Sequence, residues 1–160
     1  HIQWNTAFRE RRVMKLPKKF EEYLRNGIIK KSSINKSRAE FLINESEKSL
    51  KGLRKRLKLM GIDEDNTNSI VKDCYDIIME LIRSKLLLDG YSSSGNFAHE
   101  AEISYMKKSG FSNSEILFIN DLRYFRNSIT YYGKILDVEY AKQVVEFTNK
   151  IYPKLKDLIK

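Results

Sequence analysis

Over residues 37–60 an apolar side chain returns every three or four positions, at Ala39, Leu42, Ile43, Leu50, Leu53, Leu57 and Met60, with Ser46 in the same row. That spacing follows the turn of an α-helix and no strand period, so the segment predicts a helix with one buried face, stopped at Gly61. A second stripe, running to about Leu88, includes Ile70, Val71, Cys74, Tyr75, Ile77, Ile78, Leu81 and Ile82. It is wide enough to touch more than one neighbour. Only two prolines and seven glycines interrupt 160 residues, a scarcity that suits long helices better than a sandwich of short strands. A chain of this length is expected to make one domain that buries about two-thirds of its unfolded surface.

The remaining segments follow the same logic. Asp63-Glu64-Asp65-Asn66-Thr67-Asn68 reads as a turn that caps the second helix; it lacks the glycine and terminal glutamate of a calcium loop. Gly90-Tyr91-Ser92-Ser93-Ser94-Gly95-Asn96 reads as a flexible serine loop, without the Lys-Ser/Thr end of a nucleotide-binding P-loop. A short helix over 97–109 carries His99 in its first turn and stops at Gly110. Ser112 or Asn113 caps a central helix reaching Gly133, and Asp137 caps a last one. Pro153 is expected to kink or shorten that helix. Residues 1–35 read as a basic extension, helical in part, with a short stripe at Phe20, Tyr23, Leu24 and Ile28. The resulting expectation is an all-α chain: an antiparallel four-helix up-and-down bundle over 36–160, an extra short helix, and an N-terminal helical extension.

Charge narrows the function classes. The net charge is +9, and residues 1–60 hold 17 Lys and Arg against six acidic residues, while residues 61–160 hold 13 against 15. The basic excess is therefore N-terminal, either a footprint for nucleic acid or a solvated lysine-rich arm. Lys51, Arg54, Lys55 and Lys58 form a row on the outer face of the first long helix. No apolar run approaches the roughly 20 residues of a membrane span, and no secretory signal is recognisable, so no membrane partner is expected. The single Cys74 excludes an internal disulfide and suits a cytoplasmic setting. With His1 terminal and His99 the one other histidine, a histidine zinc site is not expected, and neither metal nor cofactor is called for. Asp73, Asp76, Glu80 and Arg83 share a helix side; they read as salt-bridged to Arg83, with a carboxylate pair for acid–base work as the alternative.

The central helix carries the candidate chemistry. Phe118, Leu122, Phe125, Ile129 and Tyr132 fall on one face, which predicts core. Arg126 sits about 40° from the centre of that stripe, so it should be half-buried and in need of acceptors. Arg123 and Thr130 lie just beyond it. Arg126-Asn127, three further residues, then the ring of Tyr131 resembles the Arg-Asn-x-x-x-His signature of HEPN domains. The flanking Leu122-Arg123 and Tyr132-Gly133-Lys134, and the Gly90-Tyr91 serine segment ahead of His99, resemble the archaeal branch of that family. The resemblance covers roughly residue 37 to the C-terminus and departs from the pattern at Tyr131, where the family has histidine.

HEPN domains are helical, usually dimeric, and many are metal-independent ribonucleases or toxins paired with a minimal nucleotidyltransferase antitoxin. The resemblance therefore implies a homodimer, and Arg126, Asn127 and Tyr131 at the catalytic positions if the site is active. Arg123, Arg126, Tyr132, Lys134 and His99 would contact RNA or nucleotide phosphate. A phenol with a pKa of about 10 is a poor substitute for imidazole at neutral pH. Position 131 also points about 140° away from Arg126 on a continuous helix. The expected function is thus a non-catalytic or degenerate module that binds RNA, nucleotide or a protein partner in a toxin–antitoxin or defence setting. The alternative is an active endoribonuclease using Arg126, and a plain scaffolding dimer is the third reading.

Overall fold

The structure is a computed structural model that describes residues 15–133 and 135–160. It is mostly helical: α1 (Phe20–Arg25), α2 (Lys36–Met60), α3 (Thr67–Leu88), α4 (Ala98–Tyr105), α5 (Asn113–Tyr132) and α6 (Val138–Leu158). A 3₁₀ turn, Met106–Ser109, extends α4 and ends at Gly110 in the left-handed region. One two-stranded antiparallel ribbon, β1 (Ile29–Lys31) with β2 (Tyr91–Ser93), completes the fold.

Element starts follow their caps. The Asn35 side chain accepts from the Arg38 backbone N–H at the head of α2, and Asp137 does the same for Tyr140 at the head of α6. Ser112 and Glu115 form a reciprocal capping box on α5. The acidic turn behaves differently from expectation. Asp63 and Asn66 spend their side chains on the turn's own backbone, and Asn66 donates to the Gly61 carbonyl, so neither caps α3. Pro153 lies inside α6 without shortening it, since the helix runs on to Leu158.

α3 is the hub. Thirteen of its 22 residues are buried, and it packs against α2, α4, α5 and α6. The broad stripe demands this, because burying each large apolar side chain contributes about 1.5–3 kcal/mol and one neighbour cannot cover so wide a face. Polar contacts fasten α6 to its neighbours: Arg54 donates to Asn149 at 3.0 Å, Lys156 pairs with Glu47, and Lys154 pairs with Glu115 at 2.7 Å while covering the Phe111 ring. Phe118 stacks on Phe147, ring centroids 4.0 Å apart.

Part of the N-terminal extension belongs to the core. Phe20, Tyr23 and Ile29 are buried with residues from α2 through α6, while residues 1–14 of the extension lie outside the described residues. The serine segment expected as a loop is instead the second strand of the ribbon. Ile29 pairs with Ser93, Lys30 with Ser92 and Lys31 with Tyr91. Tyr91 is held there by aromatic contacts with Phe20 and Tyr105, which a glycine-bounded serine stretch does not advertise.

Candidate functional site

The polar groups of α3, α4 and α5 meet at Tyr75. Its ring is fully buried, and burial holds its phenol well above the ordinary value, so the hydroxyl keeps its proton. The hydroxyl and His99 Nδ1 share a hydrogen bond of 2.9 Å; donation by the phenol corresponds to the imidazole tautomer protonated at Nε2. The Arg126 guanidinium lies 5.8 Å from the centre of the Tyr75 ring, within the reach of a cation–π contact. Partial burial lowers the His99 pKa. Glu102 opposes that shift, and Arg83, Arg126 and Arg123 reinforce it. The imidazole is accordingly neutral at pH 7.

Beside this group stands a buried ion pair. Arg83 donates from Nε and Nη2 to the two oxygens of Glu102, at 2.9 and 3.0 Å. Ser93 adds a third bond to the same carboxylate at 2.7 Å. Glu102 is only 1% exposed, so three donors are what make a carboxylate tenable there. This corrects the expectation for Arg83, which pairs across to α4 and not along its own helix. Asp73 finds Arg56 of α2 instead, at 2.6 Å. Asp76 and Glu80 are left with no ion pair among the described residues.

A cavity of about 520 Å³ opens against α3, its lining including Arg56, Asp76, Glu80, Arg83, His99 and the apolar Met79. Burial, with repulsion from Asp76 and Glu45, pushes the Glu80 carboxyl up to about 7. Loss of hydration also raises Asp76, although much of its surface meets solvent, and Arg126 pulls it the other way. The cavity therefore presents a neutral imidazole, a carboxyl that titrates near neutrality and two arginines. Both arginines are already paired with carboxylates, so the groups left are suited to moving a proton.

The motif residues divide. Arg126 is half-buried as expected, yet it has an aromatic face in place of acceptors: its Nε is buried with no hydrogen-bond partner. Arg123 is already engaged, donating from Nε to Asn120 at 2.9 Å and pairing with Glu100 at 3.5 Å. Asn127 is half-buried beside Arg126. Tyr131 and Tyr132 are each 73% exposed. Tyr132 is therefore not core, because the buried face turns toward Ile119, Leu122, Phe125 and Ser128. No hydrogen bond or ring contact joins Tyr131 to Arg126 among the described residues. Lys134 lies outside them.

His99 and Arg126, far apart in sequence, thus share Tyr75, whereas Arg126 and Tyr131, five residues apart, do not meet. Tyr75 and Glu102 were not legible as site residues. The one available signal is a carboxylate set between Ala101 and Ile103, three residues after a histidine, on a helix otherwise turned inward. No family model matches the chain, and no curated protein or solved structure shows significant similarity to it.

Proposed function

We propose that the chain is a HEPN-like helical module that binds RNA or nucleotide phosphate at Arg126 and performs no cleavage through position 131. The observation that carries this reading is Arg126 itself. Its Nε is buried with no hydrogen-bond partner, a state that costs about 1–3 kcal/mol, and the rest of the half-buried guanidinium has capacity for an acceptor that the protein does not supply. In this reading α2, α3, α5 and α6 form the four-helix bundle, and two copies associate as a homodimer with their 122–133 segments near the two-fold axis. The exposed rings of Tyr131 and Tyr132 then serve contact and not chemistry. A minimal nucleotidyltransferase is the partner that the resemblance implies, in a toxin–antitoxin or defence setting.

The second reading, an active metal-independent ribonuclease, is favoured by a different observation: neutral His99 and the near-neutral Glu80 carboxyl line one cavity, and His99 bonds the Tyr75 whose ring Arg126 overlies. One experiment separates the two. Single-stranded RNA is incubated with wild type, Arg126→Ala and Arg126→Lys, and both retention and cleavage are followed at low and moderate salt. Binding without cleavage, weakened about tenfold in Arg126→Ala and only partly restored by lysine, supports the binding module. Cleavage by wild type that disappears in Arg126→Ala supports the ribonuclease. Binding and cleavage both absent in wild type overturn the two together.

A further inference from the structure

The serine segment did not yield a phosphate loop ahead of a helix, but pairing it with β1 builds something else. Ser92 and Ser93 of β2 are brought beside Ser32, Ser33 and Asn35, which lead into α2. Between them and the end of α3 lies a second cavity of about 410 Å³, whose lining includes Ser32, Ser33, Ser92, Arg38 and Arg83, with Leu87 and Tyr91 as apolar wall. Arg83 thus lines both cavities.

The donors of this second cavity converge from the ribbon, the head of α2 and α3, and those of Ser32, Ser33, Arg38 and Ser92 are open to solvent. Glu102 also lines it, but both its oxygens are committed to Arg83 and Ser93, and the Arg83 guanidinium balances its charge. The Nη1 edge of Arg83 has no protein partner among the described residues. Neither does the Arg38 guanidinium, nor do the hydroxyls of Ser32, Ser33 and Ser92. What remains is one uncompensated guanidinium, a second presenting a free edge, and three hydroxyls arriving from two separate segments. A planar carboxylate has two oxygens and would leave most of these donors idle; a tetrahedral phosphate can meet them from several directions. The volume falls within the range of small-molecule sites.

We propose that this cavity binds the phosphate group of a small phosphate monoester, with Arg38 and Arg83 Nη1 on the phosphate oxygens and Ser32, Ser33 and Ser92 completing the contacts. Arg38 supplies the deciding charge, and the serines favour a tetrahedral oxyanion over a chloride or a carboxylate. The site shares Arg83 with the first cavity but uses neither Arg126, Tyr75 nor His99, and it does not depend on the reading given above.

The test is a titration of isotope-labelled protein, followed through its backbone amide resonances, with ribose 5-phosphate, inorganic phosphate, ribose and a short single-stranded RNA. Saturable shifts centred on Ser32, Ser33, Arg38 and Ser92 are expected with ribose 5-phosphate, weaker ones with inorganic phosphate, and none with ribose. Arg38→Ala should weaken the response about tenfold and Arg38→Lys should restore part of it. Arg38 is exposed, so its removal leaves the fold intact, and the double substitution Ser33→Ala, Ser92→Ala gives an independent check through loss of the hydroxyls. Shifts that persist unchanged in Arg38→Ala overturn the proposal, as does the absence of saturation with both phosphates. RNA that displaces ribose 5-phosphate from these residues assigns the cavity to a nucleic-acid backbone and overturns the small-molecule occupant. If Arg126→Ala abolishes the response, it belongs to the Tyr75 site and the proposal falls, whereas a response retained there supports two separate sites.

Discussion

Arg83 and Arg126 project from neighbouring helices, and the different ways their charges are satisfied set what each substitution costs. Arg83 neutralises a carboxylate that is 1% exposed, so Arg83→Ala strands Glu102 in the interior. Equilibrium unfolding in denaturant should show a loss of about 3 kcal/mol. Arg126 has an aromatic face and no ion pair among the described residues, so the same change there should cost about 1 kcal/mol, mostly through lost packing of its stem. Glu80 yields a pH test. Its folded pKa of about 7 lies above the ordinary 4.5, so the folded state holds the proton more tightly. The stability tied to that proton is complete below about pH 4.5 and drains away as pH rises through 7. Glu80→Gln should therefore flatten the decline and be more stable than wild type at pH 8, by about 1 kcal/mol once solvent screening of this half-exposed group is discounted. An unchanged pH profile in unfolding experiments would remove Glu80 from the account.

At the scale of elements, the ribbon is the piece that depends on one backbone conformation. Gly90 adopts φ +83°, and a Cβ there would lie 3.0 Å from the Ser32 carbonyl oxygen. That oxygen belongs to the residue whose N–H bonds Gly90 O at 2.8 Å, closing the ribbon just past its last register pair. Gly90→Ala meets both a disfavoured dihedral and a close contact, so it should cost about 1–2 kcal/mol. Hydrogen exchange should show the amides of 29–32 and 91–94 opening first while α2 and α3 stay protected. The helices themselves carry no such single point of failure, because their caps, stripes and neighbours agree with one another.

At the scale of the whole molecule, charge decides the encounter with polyanions. Lys51, Lys55 and Lys58 are exposed on α2. If RNA lies along that face, replacing all three by glutamine should reduce the slope of log affinity against log salt by about 2, at roughly 0.7 per phosphate contact for single strands. Binding measured by fluorescence anisotropy across a salt series gives the slope directly. An unchanged slope places the RNA elsewhere and leaves the lysine row as a solvated face.

Helix positions, the Ser112 and Asp137 caps, the glycine stops and the half-burial of Arg126 were all readable from spacing and residue type, because a helix is built from contacts within four residues. The pairing of β1 with β2 was not. Its strands are three residues long and about 60 positions apart, and what holds Tyr91 in place is contact with Phe20 and Tyr105. The partner choices of charged groups were likewise invisible along the chain. Arg83 had carboxylates within reach on its own helix and took Glu102 on another, because a buried carboxylate is worth more to a guanidinium than a solvated one. Helical rotation already separated Arg126 from Tyr131. That it should meet Tyr75 and His99 instead was decided by how α3, α4 and α5 pack, since only packing brings residues so distant in sequence around one buried ring.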